Sequence, residues 1–137
     1  MEIIKEILTT FEHNHVEKEG SFPPDGIISN IHDGALVCSG TRHITGDLEQ
    51  VKQNLEKETG QLDAWVEEQG GITGHIKAIV NVNGPVFKIS AIAGDVECTD
   101  LKLKDLHVTV VAIVFQIDQE SLEQRVESLF EKLLLEE

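Results

Sequence analysis

Three histidines, His43, His75 and His107, each fall within a run of β-forming residues. Three imidazoles with a fourth position left open suit a catalytic Zn²⁺, which polarises or deprotonates whatever occupies that position. No two of the three have a short ligand spacing, so the site forms only if the strand order brings them together. The competing reading is three unrelated histidines, each hydrogen-bonded or solvated. A second candidate is acidic: Asp95, Glu97, Asp100 and Asp105 precede His107, and hard cations take oxygen ligands. Lys102 and Lys104 interleave with them and the spacing is not that of an EF-hand, which favours a solvated polar connection. In Glu12-His13-Asn14-His15 the two imidazoles point to different faces of a helix. That leaves His13 with Glu17 as a pair, or simply a polar helix end.

Cys38-Ser39-Gly40-Thr41-Arg42-His43 offers the atoms of nucleophilic catalysis. Strand alternation puts Ser39 and His43 on one side but too far apart for contact. The chain has no Gly-x-Ser-x-Gly elbow and no glycine-rich phosphate loop. Arg42 alternates to the Cys38 side and reads as half of an ion pair. Thr45-Gly46 leads into a helix whose free N–H groups could hold an anion, but Asp47 already serves those groups as a cap.

Composition sets limits on partners. A chain of 137 residues with a net charge of −14 carries 11 basic residues against 25 acidic ones. Phosphate backbones are bound through clustered Lys and Arg, so nucleic acid is not an expected partner. Anionic membrane surfaces are disfavoured for the same reason. No apolar run reaches the length of a membrane span, and the charged start reads as no leader. A cytoplasmic location is therefore expected, with Cys38 and Cys98 as reduced core thiols unless neighbouring strands bring them together.

The elements that must position these groups are written in hydrophobic period. Ile3, Ile4, Ile7, Leu8 and Phe11 predict an amphipathic helix over residues 2 to 17. Strands follow over 27–31 and 35–44, joined by a turn at Asp33-Gly34. Asp47 caps a helix whose stripe is Leu48, Val51, Leu55, Leu62, Trp65 and Val66, with Gln50 as capping-box partner and a stop at Gly70-Gly71. Gly60 interrupts it, as a bend or a close helix contact. A hairpin centred on Asn83-Gly84 then pairs Val80 with Phe87, Ala78 with Ile89, Ile76 with Ala91 and Gly74 with Ala93, one apolar row. His75 and Lys77 fall on its mixed face. Pro85 has no N–H to close a tight turn, so a looser loop in the same register is expected.

After a polar connection over 94–104, the strand over 106–117 is apolar on both faces and belongs in the centre of a sheet. Asp118 caps a last helix with Leu122, Val126, Leu129, Phe130 and Leu133 on its buried stripe. The strand, helix and strand across 35–82 should run as a crossover with parallel strands.

The expected fold is a single α+β domain over 1–137, a mostly antiparallel sheet of about five strands in the order α-ββ-α-βββ-α. In general outline it resembles a split β-α-β sandwich, without the ferredoxin-like element order. The expected function is a non-catalytic homo-oligomeric or small-ligand-binding module with no resident cofactor, because the mixed sheet face needs a cover. The alternative is a small metal-dependent enzyme using Zn²⁺ at His43, His75 and His107.

Overall fold

The structure is a computed structural model and describes residues 24–135. The helix expected over 2–17, with His13 and His15, lies outside the described residues. The remainder is α+β with antiparallel pairing throughout: strands β1 (Gly26–His32) and β2 (Ala35–Asp47), helix α1 (Leu48–Glu68), strands β3 (Ile72–Asn83), β4 (Phe87–Ile92), β5 (Asp95–Asp100) and β6 (Leu103–Phe115), and helix α2 (Gln119–Leu135). The strands form two sheets where one of about five was expected. One has the order β1-β2-β6-β3; the other is the β4-β5 hairpin.

The β1-β2 turn is the one the sequence announces. Asp33 and Gly34 both take positive φ, 49° and 83°, and His32 closes the pair with Ala35. Two left-handed residues match the twist of the strands they join, and Asp-Gly accepts that conformation readily. Asp47 ends β2 and caps α1, its Oδ1 accepting from the Glu49 N–H at 3.1 Å. Gln50 does not complete a capping box; its side-chain amide donates to Asn54 instead. Asp118 Oδ2 accepts from the Ser121 N–H at 3.0 Å at the head of α2.

Both described helices pack on one face of the larger sheet. Val51, Leu55, Leu62 and Val66 of α1 and Leu122, Val126, Leu129, Phe130 and Leu133 of α2 are buried there. They meet alternate residues of the strands: Leu36 and Cys38, Val108 to Val114 in steps of two, and the half-buried Ile76, Ala78 and Val80. α2 packs directly over Gly40, since a Cβ there would stand 2.7 Å from Phe130 Cε2. On the opposite face Ala35, Val111 and Ile113 form a smaller cluster with Val37 and Phe115. Apolar cover on both faces makes β6 the central strand, as its sequence requires.

The hairpin expected between β3 and β4 is not formed. β3 pairs with β6 from Ile72↔Phe115 to Asn83↔Asp105, with a bulge between Thr73 and His75. β4 pairs with β5, Phe87↔Asp100 to Ile92↔Asp95, around a turn at Ala93 and Gly94. β6 occupies only one edge of β3, so what works against the hairpin is its loop. Pro85 cannot donate the bond that would close a tight Asn83-Gly84 turn, and Asn83 stays extended, paired with Asp105. The parallel relation of β2 and β3 holds, because both run antiparallel to β6, but β6 lies between them. The stretch expected as a polar connection contains β5.

Gly60 makes no close helix contact; a Cβ there would meet nothing within 4 Å. Gly60→Ala should raise stability by about 1 kcal/mol, the helix-propensity difference. Gly40→Ala should lower it by about 1–3 kcal/mol through overpacking against Phe130. Guanidinium unfolding of the two variants beside wild type measures both.

Candidate functional site

The strand order decides which histidines meet. β2 and β6 place His43 directly opposite His107, and the two rings stack with centroids 4.5 Å apart and planes 5° from parallel. Two residues before His107, Asp105 accepts a hydrogen bond from His43 Nε2. The same carboxylate accepts from Asn83 Nδ2 at 3.4 Å, and Asn81 of β3 lies opposite His107. The His43 main-chain N–H donates to Asp25 Oδ1 at 2.9 Å. The result is a polar strip across three strands, on the face away from the described helices, with His43 and Asp105 both partly open to solvent.

His75 does not reach this strip. It shares the face but pairs with Ile113, six positions along β6 from His107, roughly 20 Å at the rise of a strand. Zinc ligation requires ring lone pairs to meet at one ion about 2.0–2.1 Å from each nitrogen. Parallel stacked rings aim theirs side by side. Among the described residues no group of three or more His, Cys, Asp or Glu side chains is placed to hold a metal ion. The acidic candidates are dispersed as well: Asp95, Glu97 and Asp100 lie on β5, while Asp105 belongs to the imidazole strip. What the strip can do chemically is exchange a proton through an imidazole oriented by Asp105, and offer a flat aromatic surface.

The other candidates resolve into structural roles. Cys38 is buried facing the helices, and Cys98 is exposed on β5, not in the core as expected. Their strands are not neighbours, so no disulfide joins them. Burial pushes the Cys38 thiol up to about 11; the Ser29 hydrogen bond opposes this and the Glu123 charge adds to it. A protonated, buried thiol on the side opposite His43 is no nucleophile. Arg42 is an ion-pair residue, its Nη2 2.5 Å from Glu127 Oε1 and its guanidinium 5.3 Å from the Phe130 ring centre.

Three features carry no clear sequence signal. Glu58 is buried between the helices, with Lys132 Nζ 3.8 Å from its carboxylate. Thr45, Asp47, Gln50, Asn54 and Lys102 help line a cavity of about 400 Å³ at the start of α1. A larger groove of about 660 Å³ runs between α1 and the free side of β3, its lining including Leu48, Leu55, Ala78 and Val80. Only the Thr45-Gly46 position had pointed near the first of these spaces.

No protein-family model, characterised protein or solved structure matches this chain. No helix among the described residues is long and apolar enough to cross a membrane.

In a Cys98→Ser background, Cys38 should resist a thiol reagent at pH 8 in the folded protein and react fully on unfolding. The raised pKa also fixes a sign. The folded thiol keeps its proton where the unfolded one loses it, so this group's contribution to stability is complete below pH 9.0. It is lost as pH rises toward about 11. Denaturant titrations of Cys38→Ala beside its parent across that window measure the difference.

Proposed function

We propose that the chain is a non-catalytic module that associates with itself. The observation that carries this reading is the β4-β5 hairpin. Its twelve residues pair with each other, and its side chains separate into two faces. One face holds Phe87, Ile89, Ala91, Val96 and Cys98, with Asp100 at its end; the other holds Lys88, Ser90, Glu97, Thr99, Asp95 and Ile92. Phe87, Ile89 and Val96 are 54%, 61% and 70% exposed. A two-stranded ribbon is marginally stable in water without a surface to bury its apolar side. Contiguous exposed apolar patches mark sites of association, and soluble chains that associate with themselves most often do so about a twofold axis.

Small-ligand binding is the second reading, and the 400 Å³ cavity beside Asn54 is what favours it. That volume suits a small polar molecule. The metal-dependent alternative has less support, because His43 and His107 come together without His75.

Light scattering on tag-free protein at micromolar concentration should give the mass of a dimer. Phe87→Asp with Ile89→Asp should return it to a monomer with unchanged far-ultraviolet circular dichroism. A monomeric mass for the unmodified chain would contradict self-association.

A further inference from the structure

We infer that the β4-β5 hairpin of one copy docks on the free edge of β3 in a second copy, as an exchanged element that extends the sheet to β1-β2-β6-β3-β4-β5. This rests on the self-association proposed above and names its surface.

The first support is geometric. β3 ends the larger sheet, so its outer backbone groups have no strand partner among the described residues. Beside that edge lies the 660 Å³ groove, with α1 residues Leu48 and Leu55 as its wall and Ala78 and Val80 as its floor. A strand added there in the register Val80 to Phe87, Ala78 to Ile89 and Ile76 to Ala91 matches apolar residues three times. It points Phe87 and Ile89 into the groove beneath α1. Because Ile89 pairs with Cys98 and Ala91 with Val96, those two also turn toward the helix side. Lys88, Ser90, Glu97 and Thr99 turn to the other side. The two-faced pattern of the hairpin therefore matches the two environments of the edge it would join.

The second support concerns which copy supplies the hairpin. Within one chain this register leaves Asn83-Gly84 as a two-residue loop closed by Val82 and Pro85. Proline has no N–H for that bond. Asn83 is also held in β3, paired with Asp105 in backbone and side chain, so it is extended where the turn would need it bent. A short hinge that cannot fold back favours exchange between copies. After docking, β5 becomes the outer strand, and Asp95, Glu97 and Asp100 guard it against further pairing. The assembly then closes at two copies.

Interchain cross-linking tests this directly. Ile79→Cys and Lys88→Cys place thiols directly opposite each other in the inferred register, away from the groove. Each is made in a Cys98→Ser background, one chain tagged for mass, and the two are mixed before refolding and oxidised. A disulfide joining tagged to untagged chain is the expected result. In the double variant on one chain, the expected bond again links two molecules. An intrachain bond in a monomer, or no bond at this pair, would overturn the inference. Pro85→Ala restores the missing N–H and should shift the dimer toward monomer; an unshifted dimer would count against the hinge. A dimeric mass without this cross-link would leave self-association standing and remove the exchange, whereas a monomeric wild type would remove both.

Discussion

β6 is the strand on which the rest of this molecule depends. From Leu106 to Val114 almost every side chain is buried, on both faces, and its neighbours must supply hydrogen bonds along its length without taking it to an edge. β2 and β3 meet that demand, each antiparallel to β6 over most of its thirteen residues. Two strands antiparallel to a common neighbour are parallel to each other, and a connection between them must cross the sheet. α1 is that crossing. Its apolar stripe and that of α2 then bury the helix-side residues of all three strands in one cluster.

The same arrangement governs the polar groups. With β6 between β2 and β3, residues paired across β2 and β6 become neighbours, and those on β3 are displaced by one further strand. His43 meets His107 for this reason, and Asp105 lies within reach of both His43 and Asn83. Arg42, one residue from His43, alternates to the helix side and pairs with Glu127 over Phe130. Ser29 of the edge strand reaches Glu123 on the same helix, 2.5 Å between oxygens. The helix side is thus tied by charge-assisted bonds at its rim, where each replaces water on a partly exposed carboxylate.

Much of this was legible because the signals are local. Asp33-Gly34 specifies its turn through backbone preference, Asp47 and Asp118 cap helices through their own carboxylates, and the apolar run from Val110 to Phe115 in β6 calls for a strand covered on both faces. The expected stripe of α2 is the buried set observed, whereas in α1 Val51, Leu55, Leu62 and Val66 are buried, Leu48 and Trp65 are half-buried, and Asn54 and Glu58 are buried beside them. The β3 to β4 pairing misled. An apolar row on each side of an Asn-Gly pair is good evidence of complementarity, but not that the loop between the two rows folds back, and here Pro85 lacks the N–H that a tight turn would use. The Ala93-Gly94 turn escaped notice because alanine is an uncommon choice at φ 50°. Glu58 was invisible within a charged helix, since its burial comes from α2 packing across it. The histidines show the general limit: their faces follow from alternation, whereas their neighbours follow from strand order.

The central claim is that β6 lies between β2 and β3, and cross-strand nuclear Overhauser effects test it most directly. The account predicts contacts between backbone protons of Lys77 and Val111 and of Asn81 and His107, together with contacts between the His43 and His107 rings. Their absence, with His75 instead close to His43, would contradict the strand order and every conclusion drawn from it.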